Sequence, residues 1–211
     1  STDGGSTAAG TATNSVSSGT ITVTSPSGVK CYQRNGSNQH SITVSGTYTG
    51  LPTSIEYRFA GGSWGTLAAS PTGGTYSGTA TLNKGQGTID VRFSNATGTT
   101  ASSSTITVGD VFVIAGQSNA EGRASNAQSH SGNYTLACFR EDGAWRLNNS
   151  DPTDTGTTGG SIWPRLSRHI EADQDVPVIY ITTAAGGTGL VGGGWQGSNY
   201  TNMTTRITQS G

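Results

Sequence analysis

Charge is scarce in this chain. Eleven Lys and Arg stand against 12 Asp and Glu over 211 residues, a formal net charge of −1, and only 11% of residues are charged. That balance leaves no electrostatic case for nucleic acid or for an anionic membrane surface as a partner. Long apolar runs are missing too: none approaches the roughly 18 residues of a membrane-spanning helix. Cysteine is limited to Cys31 and Cys138, which fall in what read as different domains. A bridge between them and a pair of free buried thiols both remain open, so cysteine usage does not set the compartment. There is no Cys-x-x-Cys and no His-Glu-x-x-His, and the Gly192-Gly193-Gly194 run lacks the Gly-Lys-Ser/Thr of a phosphate loop. No metal and no organic cofactor are expected. Neither a signal peptide nor an initiator Met opens the chain, so Ser1 is expected to follow a removed segment or to lie within a longer polypeptide.

What the chain has in quantity is Gly, Ser and Thr, with 33 glycines. Threonine-rich alternation broken by glycine favours β-structure with many turns, a composition associated with secreted, cell-surface and virion proteins. Residues 1–18 show no periodicity and read as a flexible linker or tail. Residues 19–108 read as all-β. Ile21-Thr22-Val23, Ser41 to Val44, Ile55 to Phe59, Tyr76 to Leu82, Thr88 to Phe93 and Thr105 to Val108 alternate, separated by turn signals such as Asn35-Gly36, Gly61-Gly62 and Gly73-Gly74. Six or seven short strands at this spacing predict a small β-sandwich of immunoglobulin-like type, without the Cys…Trp…Cys spacing of antibody domains.

At Asp110 the pattern changes. Val111, Phe112, Val113 and Ile114 form a continuous apolar run, the mark of a strand covered on both faces. A long polar stretch follows, then a helix opening near Ser161, a plausible N-cap, with Pro164 in its first turn and Ile162, Leu166 and Ile170 at the helical interval. A second apolar strand, Val176 to Thr182, ends in Ala184-Ala185-Gly186-Gly187, and Thr201 to Gln209 suits a further helix. Strand, helix, strand makes a βαβ unit. Two strands cannot close a doubly wound domain, which needs about five, so residues 109–211 are expected to be an incomplete α/β domain.

The chemistry concentrates at the two strand ends. Gln117-Ser118-Asn119 follows the first, at the carboxyl edge where open α/β sheets hold their ligands. Ser118 is a candidate nucleophile or simply part of a turn. Gly186-Gly187-Thr188 would lie beside it if the strands are neighbours, and a glycine N–H there can serve an oxyanion as readily as it can serve a bare turn. Trp195 offers a sugar a stacking face, or fills a core. Asp151 and Asp154 sit in a Pro/Thr/Gly loop and read as solvated turn residues. Of the three histidines, His40 belongs to the sandwich, His130 to the loop after Ser118, and His169 to a surface or half-buried helix position.

DVFVIAGQSNAEG, EDGAWRLNNSDP with GSIWPRLSRHI, and TTAAGGTGL resemble, in that order, the sialate O-acetylesterase-like branch of the SGNH hydrolases, carbohydrate esterases with a flavodoxin-like three-layer α/β/α fold. The resemblance covers residues 109–211. It implies Ser118 as nucleophile, with the Ser118 and Gly187 N–H groups as oxyanion hole. It also implies that Gln117 and Asn119 shape the pocket floor; Thr188 and Trp195 are further candidates for binding an acetylated carbohydrate. The family's Trp-x-Gln-Gly-Glu and Asp-x-x-His blocks have no counterpart here, so the base is expected beyond Gly211 and little activity from this chain alone. The rival expectation is a non-catalytic surface or tail-fibre module whose sandwich binds glycans or spaces other domains.

Overall fold

The computed structural model describes residues 19–153, 159–191 and 194–211. The expected linker at 1–18 lies outside the described residues, as do Asp154, Gly192 and Gly193. The first half holds β1 (Lys30–Gln33), β2 (Gln39–Thr47), β3 (Ser54–Phe59), β4 (Gly65–Ala69), β5 (Thr75–Asn83), β6 (Gly85–Gly87), β7 (Ile89–Phe93), β8 (Thr100–Ser102) and β9 (Ile106–Ile114). Then follow α1 (Ser118–Glu121), β10 (Ala137–Phe139), β11 (Trp145–Leu147), α2 (Trp163–Gln174), β12 (Val178–Thr182) and α3 (Asn199–Ser210). The chain is β-rich with few helices, and among the described residues none is long and apolar enough to cross a membrane.

Strict alternation builds the first core. The antiparallel pair β2–β5 turns Ile42, Val44, Tyr76, Ala80 and Leu82 to one side. The four-stranded sheet β4-β3-β7-β8 turns Ile55, Leu67, Val91 and Phe93 to meet them in a single cluster. A period of two residues is what sorts these side chains to one face of each sheet. The stretch expected as a strand at Ile21-Thr22-Val23 makes only an isolated bridge, Ile21 to Tyr48. Its one threonine hydrogen-bonds across to the edge of β2, Thr22 Oγ1 to Thr47 Oγ1 at 2.8 Å.

A third, mixed sheet runs β1-β9-β12-β10-β11, with β6 also on β9. Strand β9 is its organising element. Its first four residues pair in parallel with β1, and its last five, Asp110 to Ile114, pair in parallel with β12. The boundary expected between residues 108 and 109 therefore falls inside one unbroken strand. Burial on both faces was expected for Val111 to Ile114, yet Phe112 and Val113 are each 38% exposed. The reason is local: β1 ends at the Gln33–Gly109 register, and past it β9 is flanked by β12 alone. Strand β12, with a neighbour on each side, is buried at all five positions. The hairpin β10–β11 lies in the stretch that reads as polar; three-residue strands are too short to show a period.

Two further expectations are corrected. The helical repeat Ile162, Leu166, Ile170 suggested the core face of α2, but Ile162 and Leu166 are exposed and the buried positions are Pro164, Ser167 and Glu171. Polar partners draw that face inward: Ser167 Oγ donates to Tyr180 Oη at 2.9 Å and Glu171 meets His130. Ser161 precedes the N-cap position, which Ile162 holds, although its Oγ accepts the Trp163 N–H at 3.3 Å.

Polar contacts tie the two halves. Arg34 clasps Asp110 through Nε at 2.7 Å and Nη2 at 2.9 Å, and its hydrogen bonds hold the Asp110 carboxyl below the usual carboxylate range. Gln86 exchanges hydrogen bonds with the Thr135 backbone at 2.8 and 2.9 Å. The two cysteines form no disulfide and pack in separate clusters, Cys31 with Ala137 and Ile179, Cys138 with Leu136 and Tyr180. Ala137 and Cys138 are consecutive on β10, so the pleat sends the two thiols to opposite faces of the sheet. Burial pushes the Cys31 thiol up to about 12.

Candidate active site at the ends of two parallel strands

The parallel pairing of β9 and β12 continues past both strands. Thr182 lies opposite Ile114, and the ladder runs on through Thr183 N–H to Ile114 O and Ala185 N–H to Gly116 O, both 2.9 Å. That register brings the turn Gly186-Gly187 alongside Gln117-Ser118. Parallel neighbours point the same way, so both strand ends open at one carboxyl edge.

Gly116 makes the bend that follows β9. Its φ of +141° lies in the region that favours glycine, and a Cβ there would stand 2.9 Å from Ala120 Cβ. Gln117 then extends (φ −106°, ψ −151°) and Ser118 opens the single turn α1. The turn is held from below by Trp163, whose Nε1–H donates to Ala120 O at 2.9 Å. Ser118 is half-buried, flanked by exposed Gln117 and Asn119. Its hydroxyl makes no hydrogen bond among the described residues, and none of the three histidines contacts it.

Gly187 takes φ +71° at the tip of the opposite turn and is exposed. Thr188 braces that turn, its Oγ1 donating to Ala185 O at 2.6 Å and accepting the Trp195 indole N–H at 3.2 Å. Half-buried Trp195 is thereby fixed to the second strand end, at the start of the irregular turn Gly194–Ser198 that leads into α3. Glu121, which sequence reasoning passed over, closes the space between the two ends: a Cβ on Gly186 would lie 2.5 Å from its Oε2. Arg123 Nε sits 2.8 Å from the same oxygen, so the carboxylate beside the glycine turn is paired.

On the far side of α1 a cleft of about 860 Å³ runs between Asn119, Ala120, Asn126, Ile162, Trp163 and Leu166. The exposed apolar stripe of α2 is thus one wall of a cleft beginning one residue from Ser118. Two residues of its other wall, Gln128 and Ser161, are held by one buried polar anchor. Asp151, expected in a solvated turn, is buried: it accepts Gln128 N–H at 2.7 Å and both the N–H and the hydroxyl of Ser161 at 2.9 and 2.5 Å. His130 is buried as well, with Nε2 2.9 Å from Glu171 Oε2 and Nδ1 3.4 Å from Pro164 O, while the other Glu171 oxygen takes the Asn133 and Tyr134 amides. These partners make His130 a clamp between loop and helix. His169 is exposed on α2, and His40 stacks on Tyr32 at 4.7 Å in the β-rich half. Among the described residues no group of three His, Cys, Asp or Glu could hold a metal ion.

No family model matches the chain, and no curated protein matches it. Among solved structures it is similar to a carbohydrate acetylesterase from Xanthomonas citri, at 18% identity and TM-score 0.38, over 76% of this chain and 39% of that one. It is also similar to an Arabidopsis thaliana protein, at 18% identity and TM-score 0.39, over 47% of this chain and 50% of that one. The chain spans half or less of the length of each.

Proposed function

We propose that these strand ends form the nucleophile half of a serine esterase site acting on O-acetyl groups of carbohydrates. The observation that carries this reading is the parallel register which sets Ser118 beside Gly186-Gly187 at one edge of the sheet. In this reading Ser118 Oγ attacks the acetyl carbonyl, and the N–H groups of Ser118 and Gly187 receive the oxyanion. The tetrahedral intermediate collapses by breaking the bond to the sugar oxygen, which leaves as a hydroxyl after taking a proton. Water then releases acetate from the acyl-serine. Pairing with Arg123 keeps the Glu121 carboxylate from opposing the developing negative charge. Gln117, Asn119, Thr188 and Trp195 line the sugar's approach.

The finer assignment is to the sialate O-acetylesterase-like branch of the SGNH hydrolases, with an immunoglobulin-like sandwich before a flavodoxin-like domain. It rests on the GQSN and AAGGTG strand ends and on the base being supplied by an Asp-x-x-His block outside this sequence. The test is a longer chain that carries such a block, assayed with p-nitrophenyl acetate. Ser118→Ala is expected to cut turnover by roughly 10³-fold or more; undiminished turnover rejects the nucleophile. The 211-residue chain is expected to show little or no activity, and turnover close to that of the longer chain would reject an outside base.

A further inference from the structure

Gly186 and Gly187 are consecutive in the turn after β12, but only Gly187 takes a positive φ. Backbone conformation therefore accounts for glycine at 187 and not at 186. What requires glycine at 186 is Glu121. Its Oε2 fills the space of a side chain there, 2.5 Å from where a Cβ would stand. The Glu121 side chain is only 13% exposed, and the seam behind it, between the two strand ends, is lined by Ile114, Ala120, Pro152 and Ala184. Among the described residues its carboxylate has one polar partner, Arg123, with Nε 2.8 Å from Oε2 and Nη2 3.3 Å from Oε1.

Side chains two residues apart on a helix do not face each other. Here Gly122 ends α1 between them with a left-handed φ of +101°, which brings Arg123 back onto Glu121. The same reversal turns the Gly122 and Arg123 N–H groups onto Ser118 O, both at 3.1 Å. One short segment thus grips the Ser118 carbonyl and rests a carboxylate on the glycine turn. Thr188 braces the other side of that turn through Ala185 O. Arg123 is 54% exposed, so the ion pair adds little to the stability of the fold. Its effect is on where the acid sits.

We propose that Glu121, anchored by Arg123, is a positioning residue that fixes the spacing between Ser118 and the Gly187 N–H. On the esterase reading, which this role presupposes, nucleophile and oxyanion donor act together only at a set distance. Glu121 takes no proton in the reaction. It acts through the turn it touches.

The turn is tested first in the 211-residue chain, by nitrogen relaxation of the Gly186 and Gly187 amides, with near-ultraviolet dichroism checking that each variant folds. Order parameters of about 0.85 are expected in the parent, falling toward about 0.6 in Glu121→Ala and Arg123→Ala. They should stay high in Glu121→Gln, which keeps the shape and an acceptor for Arg123, and in Ser118→Ala. Turnover of p-nitrophenyl acetate is then read in the longer chain. Glu121→Ala is expected to lower kcat by about 10- to 100-fold with KM little changed, and Glu121→Gln to restore it. Gly186→Ala should lower kcat too, by pushing the carboxylate aside, and should add nothing in the Glu121→Ala background, where its methyl finds room. Unchanged order parameters in Glu121→Ala, additive losses in the double variant, or an equal loss of kcat in Glu121→Gln each overturn the proposal. Undiminished turnover in Ser118→Ala rejects the nucleophile instead, and the relaxation result then decides alone whether Glu121 holds the turn.

Discussion

The two halves of this molecule reach order by opposite routes. In the β-rich half, apolar side chains go inside: Val44, Ile55, Leu82, Ile89 and Val91 are fully buried in one cluster. In the other half the sorting is partly inverted. Phe112, Val113, Ile162, Leu166, Leu190 and Val191 are exposed, while His130, Asp151, Ser161, Ser167 and Glu171 are buried. The first half is held by area removed from water, the second in good part by polar groups that satisfy one another. A core of the first kind is insensitive to most surface changes. A network of the second kind is cheap while complete and costly once one partner is lost.

The contrast can be broken by substitution. Phe93→Ala, at a ring 1% exposed, is expected to cost about 3–5 kcal/mol in urea unfolding; a loss under about 1 kcal/mol would deny the first half its single core. Glu171→Ala strips His130 and two backbone amides of their partner. It is expected to cost about 3 kcal/mol and to speed hydrogen exchange at Asn133 and Tyr134; unchanged exchange there would mean the loop is held by packing alone.

Smaller effects sharpen it. The Asp110 carboxyl is lowered in the folded state by the Arg34 hydrogen bonds, so its contribution is present above the ordinary carboxylate pKa and is lost as pH falls through the lowered value. Stability should therefore decline as pH falls from the ordinary carboxylate pKa through the lowered one, by about 1 kcal/mol after solvent screening of this partly exposed pair. Arg34→Ala should flatten that decline, and an unaltered pH profile would remove the pair from the junction. Least of all, Ile162→Ser and Leu166→Ser are expected to change stability by no more than about 0.5 kcal/mol. A loss on the scale of Phe93→Ala would return that stripe to the core.

Legibility followed the same division. Alternation exposed β2, β3, β5 and β7 directly, because one face of each is buried and the other wet. It missed β4, β6, β8, β10 and β11, where three to five residues carry too little pattern, and β1, whose Lys-Cys-Tyr-Gln reads as no strand at all. The two long apolar strands of the second half were legible as strands, and α3 was legible as a helix. The inward face of α2 was not, since Ser167 and Glu171 have polar partners at Tyr180 and His130 that lie far away in sequence. For the same reason Asp151 read as solvated although it organises a loop.

By itself the sequence determined the elements with a strong local period, because side-chain alternation is a property of a few consecutive residues. It also brought forward the two strand ends as the candidate site. Only the tertiary structure decided that those ends are neighbours, that β9 serves both halves, that the cysteines face opposite sides of one sheet, and that His130 is clamped to a carboxylate and a carbonyl. Each of these depends on pairing between residues tens of positions apart, where the register is set by the competition of whole strands and loops for partners and not by any local preference.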